Sequence, residues 1–85
     1  MEEKKIGVVT HYFGHVGVGI IKVEAEGFKK GDTLHFKGHT SDFQQTVESL
    51  QIEHKEADQA KVGDAMGMKV NEPVREHDEV FKVIG

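Results

Sequence analysis

Residues 47–70 read VESLQIEHKEADQAKVGDAMGMKV, and this stretch decides the fold. Alternating apolar and polar residues predict a strand over 47–53. The charged link over 54–61 has helix-favouring residues but no apolar stripe, so it predicts a loop or a single helical turn. A Gly-Asp turn at 63–64 then leads into a second alternating strand over 65–70. We expect the rest of the chain to supply further strand pairs that need this one to close a core.

The first of these strands contains a change of parity. Val47 continues the alternation begun by Phe43, whereas Leu50 and Ile52 have the opposite parity. A slip of one residue moves every side chain of a strand to the other face, so one straight strand cannot bury both sets. We therefore predict a β-bulge near residues 48–49, which would restore the alternation and bend the strand.

The remainder of the chain adds short strands separated by turns. Val16, Val18 and Ile20 share one face of a strand, while the other face carries two glycines. A glycine inside a strand often marks a sharp bend or a close backbone approach. About six short strands at regular spacing predict an all-β protein, which we expect to be a small closed six-stranded β-barrel. One domain is expected over residues 1–85, because the chain is too short for two cores.

Composition narrows the classes of function. The 15 acidic residues outnumber the 11 basic ones and give a formal charge of −4, which argues against general binding to phosphate backbones. There is no cysteine, so disulfides, a thiol nucleophile and a thiolate metal site are excluded. The first residues, MEEKKIGVV, lack the apolar core of a signal peptide, and no run is long enough for a membrane span. We expect a cytoplasmic protein without membrane contact.

Three segments match motifs that occur together in a known barrel. GFKKGDTLHFKG (27–38) resembles G-x-x-K-x-G-D, and REHDEVFKV (75–83) resembles R-x-G-D-x-[VL] with His77 where glycine is usual. These motifs make the chain resemble the second domain of translational GTPases, the β-barrel that follows the GTPase domain in elongation factor Tu. Its pattern V-x-S-[IVL]-[EQ]-x-x-H … A-x-x-G-D-x-x-G-x-x-V is matched by Val47, Ser49, Leu50, Gln51, His54, Ala60, Gly63, Asp64, Gly67 and Val70.

That resemblance implies contact with RNA. In elongation factor Tu the barrel helps to hold the aminoacylated 3′ end of tRNA; Gln51 matches a glutamate beside the terminal adenine, and His54 matches a basic residue. The phosphate-binding loop G-x-x-x-x-G-K-[ST] is missing, so GTP binding and hydrolysis are excluded. The predicted RNA- or partner-binding residues are Gln51, His54, Lys55, Lys22 and His15.

Two functions follow as alternatives. The resemblance favours a non-catalytic binding module for a tRNA end or ribosomal RNA, or one that assists a larger enzyme or a translation component. The acidic charge favours an accessory subunit that docks on a separately encoded enzyme without touching RNA. We expect no enzymatic activity and no cofactor, because Asp32, Asp64 and Asp78 lie in turns, where a carboxylate bonds backbone N–H groups.

Several other residues admit two interpretations. The lysines either border a phosphate-facing surface or keep the strands soluble, and aromatic side chains near loops (Tyr12, Phe13 and Phe28) are candidates for stacking on a base or anchoring a protein. Six histidines are unusual for this length, but no ligand spacing supports a metal, and a metal- or ligand-binding barrel is the third alternative.

Overall fold

The computed structural model describes residues 2–84 and confirms the all-β class. Eight of its strands form one antiparallel sheet in the order β5-β4-β10-β1-β2-β9-β6-β7, and β3 pairs separately with β8. The strands are β1 (Glu2–Phe13), β2 (Val18–Val23), β3 (Phe28–Lys29), β4 (Thr33–Lys37), β5 (Asp42–Thr46), β6 (Leu50–Ile52), β7 (Lys55–Ala57), β8 (Gln59–Ala60), β9 (Ala65–Lys69) and β10 (Glu79–Ile84).

The prediction of a closed six-stranded barrel is wrong. Within residues 2–84 the large sheet has two edges, β5 and β7, which do not pair with each other. Loops and side chains cover the gap instead. The Lys30 N–H, between β3 and β4, donates to the carbonyl of Asp58, just after β7, at 3.0 Å. The Gln45 side chain reaches from β5 to the end of β9, where its amide donates to the Lys69 carbonyl at 2.8 Å.

The predicted bulge at residues 48–49 is also wrong. β5 ends at Thr46 and β6 begins at Leu50, so the chain leaves the sheet between them and changes parity outside any ladder. The register shifts lie in β1, between Lys5 and Gly7 and between Val9 and His11. This strand has 12 residues and pairs with both β10 and β2, so it must bend to follow the coiled sheet.

Residues 54–61 differ from the predicted loop or helical turn. They hold two short strands, β7 beside β6 and β8 beside β3. A local propensity for helix is weak evidence over so few residues, and pairing with neighbouring strands overrides it.

The apolar side chains form one core. The buried cluster is Ile6, Val9, Ile21, Val23, Phe28, Leu34, Phe36, Phe43, Val47, Leu50, Ala60, Met66, Met68, Val70, Val74 and Val80. The Phe36 and Phe43 rings stack within it at a centroid distance of 5.0 Å. None of the residues from 2 to 84 belongs to a helix with the length and hydropathy of a membrane span.

The role predicted for the three aspartates is confirmed. Each one accepts a hydrogen bond from the backbone N–H three residues earlier: Asp32 from Lys29, Asp64 from Lys61 and Asp78 from Arg75, at 2.8–3.0 Å. The residue just before each aspartate has a positive φ, of 94° at Gly31, 96° at Gly63 and 74° at His77. Each turn delivers the chain into a strand of the large sheet, so the repeated turn sets where β4, β9 and β10 begin.

Candidate functional site

An apolar groove lies on the outer face of the sheet, over β2, β9 and β6. Its volume is about 390 Å³. The turn after β1 stands at one end, and the turn between β6 and β7 stands along the far side. The residues that line it, here called the outer groove, are Phe13, Val16, Val18, Ile20, Gln51, Glu53, His54, Ala65 and Gly67.

Gly67 forms the floor of the outer groove. It is the cross-strand partner of Ile20 on one side and of Gln51 on the other. Directly paired residues of antiparallel strands share a face, so these three form one row across the sheet. A Cβ added at Gly67 would lie 3.2 Å from Ile20 Cδ1 and 3.6 Å from Val18 Cγ1. The missing side chain therefore creates the depth between the wall formed by β2 and the wall formed by β6.

The end of the outer groove next to the β1–β2 turn exposes large apolar side chains. Phe13 is 51% exposed and Val16 is 57% exposed. The Phe13 ring lies beside that of His11, with 6.2 Å between the ring centroids. A contiguous apolar surface next to a concave floor is the usual signature of a binding site, whereas isolated apolar residues on a surface are not.

The rim opposite Phe13 is conformationally strained. Glu53 and His54 have φ values of 52° and 65°, and they join β6 to β7. Positive φ at both central residues defines a type I′ hairpin turn, which strongly favours Asn-Gly. A side chain in this region costs about 1–2 kcal/mol. Strain of this kind persists where the surroundings enforce it, and it is concentrated at functional sites.

The structure brings together two of the five predicted site residues and separates the others. Gln51 and His54 both line the outer groove. Lys55 pairs with Ile52, whose side chain packs against the core, so Lys55 belongs to the opposite face. Lys22 pairs with Ala65, which lines the groove, so Lys22 lies on the same face without lining the groove itself. His15 is exposed in the β1–β2 turn beside Val16. Their role in binding stays a prediction.

Sequence reasoning missed the floor and one wall of the groove. Nothing in the sequence singled out Gly67 or Ala65 as a groove residue, although a glycine within a strand often marks a site where a ligand or another backbone approaches closely. Of the three aromatic candidates, only Phe13 is exposed; Phe28 is buried in the core and Tyr12 packs against it. Tyr12 and Phe13 are adjacent on β1 and therefore point to opposite faces, and only the tertiary packing determines which of these faces is covered.

Apart from the outer groove, a polar cluster joins three strands on the other half of the sheet. His35 on β4 donates from Nδ1 to Glu3 Oε2 on β1 at 2.8 Å, and its Nε2 lies in a short contact with Asp42 of β5. The side chain of His35 is only 12% exposed. The hydrogen bond with Asp42 raises the pKa of His35 above 6.5, and Glu3 adds to the shift while desolvation opposes it.

This cluster does not form a metal site or a catalytic array. The two carboxylates meet opposite nitrogens of one imidazole ring, so a single ion cannot touch all three groups. Residues 2–84 contain no group of three or more histidine, aspartate or glutamate side chains placed to hold a metal. Among residues 2–84 the hydrogen-bond partners of the His35 ring are all carboxylates, and none of them is a hydroxyl that could act as a nucleophile.

Comparison with known proteins finds a curated relative of this chain. No family model matches the chain. An uncharacterized protease of Methanocaldococcus jannaschii is 37% identical over 78 residues, which amount to 91% of this chain and 19% of that protein. The chain thus spans about a fifth of the length of the curated relative that it matches.

Solved structures agree on the fold. The C-terminal domain of a U32 peptidase from Geobacillus thermoleovorans superposes with a TM-score of 0.87, at 24% identity, over 95% of this chain and 93% of that domain. The selenomethionine variant of the same domain gives 0.85 at 24% identity, over 91% and 96%. The chain has the fold of these C-terminal domains.

The resemblance to the barrel of elongation factor Tu is therefore wrong. The matching structures are peptidase C-terminal domains, and the curated relative is named as a protease. Each of the three motif segments contains one of the aspartate turns described above, and a turn of this kind is a local backbone feature that is common among proteins. RNA binding was inferred from the translation-factor barrel, so the assignment of tRNA or ribosomal RNA as a partner loses its support.

Proposed function

We propose that this chain is a non-catalytic docking domain that acts with a peptidase-type protein, and that the outer groove is its contact surface. The similarity to a stretch of an uncharacterized protease is the observation that carries the proposal. A segment matching about a fifth of a larger protein must pack against, or be held beside, other parts of it. The surface of this domain best suited to such packing is the outer groove.

The chemistry of the outer groove suits binding better than catalysis. Its walls are the apolar side chains of Val18, Ile20 and Phe13, and its two titratable residues, Glu53 and His54, are both exposed. General acid–base catalysis requires a titratable group held within hydrogen-bond reach of a partner. Neither side chain has such a partner among the hydrogen bonds of residues 2–84.

The expected occupant is an apolar side chain or short apolar segment of the peptidase-type polypeptide. Aromatic residues in a concave setting supply most of the energy at protein interfaces, and a polar rim excludes water around them. Phe13 has the exposure required of such an anchor, while Gln51, Glu53 and His54 supply the polar rim. The peptidase-type polypeptide is either joined to this chain or separately encoded, and the groove serves both arrangements.

Site-directed photo-cross-linking in the native host tests the proposal. A photoreactive phenylalanine analogue at Val16 places the reactive group at the mouth of the outer groove. The same analogue at Thr40, exposed in the turn before β5, is the matched control. We expect position 16, and not position 40, to cross-link to residues of a peptidase-type sequence, identified by mass spectrometry. Cross-links from position 16 only to a second copy of this domain, or equal cross-linking from both positions, would contradict the proposal.

A further inference from the structure

A second concave surface lies where the β3–β8 ladder meets β10. Its volume is about 470 Å³, and it shares no residue with the outer groove. We call it the lysine pocket, because three of the residues that line it are lysines. The lining residues are Gly27, Phe28, Lys29, Asp32, Gln59, Ala60, Lys61, Val62 and Lys82.

The backbone around the lysine pocket is firmly built. Lys29 pairs with Gln59 in the small ladder, and Gly27 approaches so closely that a Cβ there would lie 2.1 Å from the Ala60 carbonyl oxygen. Lys29 and Lys61 are the first residues of two aspartate turns, and the N–H of each donates to its aspartate. Both lysines therefore start from fixed backbone positions on the same side of the molecule.

The charge of the lysine pocket is opposite to that of the whole chain. Its one acidic residue is Asp32, whose carboxylate accepts from the Lys29 N–H at 3.0 Å and lies 3.6 Å from Lys82 Nζ. Within residues 2–84, no carboxylate lies within 4 Å of the ammonium group of Lys29 or Lys61. The chain as a whole carries a net charge of −4. Two unpaired ammonium groups thus converge on one concavity of an acidic protein.

An apolar side chain completes the surface. Val62 follows Lys61 directly and is 59% exposed, although it is aliphatic and lines the pocket. Carboxylates flanking an aliphatic side chain would match two lysines and a valine. Nucleic acid matches less well, because backbone binding requires an extended basic track, and the negative charge of the rest of the chain would repel a long polyanion.

We infer that the lysine pocket binds an acidic peptide segment that also presents an aliphatic side chain. Lys29 and Lys61 meet its carboxylates, Lys82 exchanges part of its contact with Asp32 for the ligand, and Val62 packs against the aliphatic group. This site is separate from the docking surface proposed above, so either can fail without the other.

Fluorescence anisotropy with a labelled octapeptide of alternating glutamate and leucine tests the inference. The wild-type chain should bind it at an ionic strength of about 0.01 M and more weakly at about 0.15 M, because the Debye length falls from about 30 Å to about 8 Å. The double variant Lys29→Gln/Lys61→Gln should lose at least about tenfold in affinity. Lys37→Gln/Lys69→Gln removes the same charge from exposed lysines elsewhere and should lose less than about threefold.

Three results of the anisotropy measurements would overturn the inference. They are no binding by the wild-type chain, equal losses in the two double variants, or tighter binding of an eight-nucleotide oligouridylate than of the peptide. NMR on the wild-type chain gives an independent measurement, since the Val62 methyl resonances should shift on titration with the peptide; unchanged methyl resonances at saturation would also reject the site. Phe13→Ser should leave peptide affinity unchanged, which separates this site from the outer groove.

Discussion

Gly67 lies directly opposite Ile20 across the β2–β9 ladder, and the space where its side chain would be is the floor of the outer groove. The same glycine pairs with Gln51 on β6, so one residue without a side chain separates two walls. The shape of the proposed docking surface therefore depends on a position that contributes no contact of its own.

Filling that floor should block docking without weakening the fold. Gly67→Val puts two methyl groups into the groove, and a β-branched residue suits a strand better than glycine does. We expect the free energy of unfolding to remain within about 0.5 kcal/mol of wild type or to rise. Cross-linking from position 16 to the peptidase-type polypeptide should fall sharply. A folded variant that cross-links as well as wild type would show that the groove floor is not used.

The strained turn at the rim offers a test in which stability and binding move in opposite directions. Replacing Glu53 and His54 by Asn and Gly supplies the residues that a type I′ turn favours. The relieved strain, less the greater chain entropy of glycine, should raise the free energy of unfolding by about 1–2 kcal/mol. The rim loses two polar side chains, so docking should weaken. Thermal unfolding and position-16 cross-linking measure the two effects.

A matched control for this variant is available in the neighbouring turn. His15 has no positive φ, so His15→Gly should lower stability by about 0.5–1 kcal/mol. If Asn-Gly at the rim also lowered stability, the turn would not be strained in solution. A gain in stability with unchanged docking would mean that the strain does not serve the groove.

The local chemistry of the sequence predicts a good part of this fold. Alternation identifies the all-β class, and the Gly-Asp pairs identify turns that the structure confirms at Asp32 and Asp64. The shared face of Val18 and Ile20 was also predicted. These features depend on residues within a few positions of each other, so a single sequence carries them.

Features set by distant residues could not be predicted in the same way. Alternation places Val18 and Ile20 on one face, but it does not determine that the opposite face of β2, with Ile21 and Val23, is the one that covers the core. The pairing of β3 with β8 joins residues about thirty positions apart, and nothing near residue 59 indicates it. The three aspartate turns depend only on local backbone geometry. Their spacing therefore suggested a translation-factor barrel without containing information on how distant strands pair.

The aspartate turns give a stability prediction with an internal control. Gly63 has a φ of 96° and open space around its missing Cβ, so Gly63→Ala changes backbone strain and nothing else. It should cost about 1–2 kcal/mol, or roughly 4–8 °C in melting temperature per kcal/mol. Gly14 has no positive φ, and an added Cβ would meet Tyr12 at an ordinary 3.7 Å. Gly14→Ala should therefore be neutral or mildly stabilising.

In the third aspartate turn His77, with a φ of 74°, occupies the position that glycine holds in the other two. The opposite substitution, to glycine, is therefore the test there. His77→Gly removes the strain of a left-handed side chain and should raise the free energy of unfolding by up to about 1 kcal/mol. Calorimetry on Gly63→Ala and His77→Gly measures the two changes in the free energy of unfolding. Destabilisation by His77→Gly would mean that the imidazole makes a compensating contact in solution.

The contacts of His35 predict a pH dependence of stability. Its folded pKa lies above the ordinary 6.5, mainly because of the hydrogen bond with Asp42. The stabilisation of the fold by protonated His35 is therefore complete below about pH 6.5 and is lost as the pH rises through the folded pKa of His35. The pKa of Asp42 is lowered from 3.8 by the same hydrogen bond, so its contribution is present above about pH 4 and is lost on acidification.

Melting temperatures measured from pH 4 to pH 9 test this assignment. Wild type should lose stability between about pH 6.5 and the alkaline end, and His35→Gln should show a flatter profile over that range. His39→Gln changes an exposed histidine in the nearby turn and should retain the wild-type profile. Parallel profiles for wild type and His35→Gln would refute the role of the Glu3–His35–Asp42 cluster.

The side chain of Gln45 links the edge strand β5 to the end of β9. Gln45 donates to the Lys69 carbonyl at 2.8 Å and accepts from the Asn71 N–H at 2.7 Å, so its amide takes the place of a missing strand between β5 and the end of β9. Gln45→Glu keeps the acceptor but turns the donor into a carboxylate oxygen facing the Lys69 carbonyl. Because this arrangement loses one hydrogen bond and adds a repulsive contact, we expect a loss of about 1–3 kcal/mol.

The adjacent Gln44 provides the comparison. It is exposed, so Gln44→Glu introduces the same charge without disturbing the bridge, and stability should change by no more than about 0.5 kcal/mol. Hydrogen exchange adds a local measurement, since protection of the Asn71 amide should fall in Gln45→Glu and persist in Gln44→Glu. Equal protection in both variants would mean that backbone and core contacts alone hold the two edges together. A selective loss would identify the Gln45 amide as the link that lets an open sheet enclose its core.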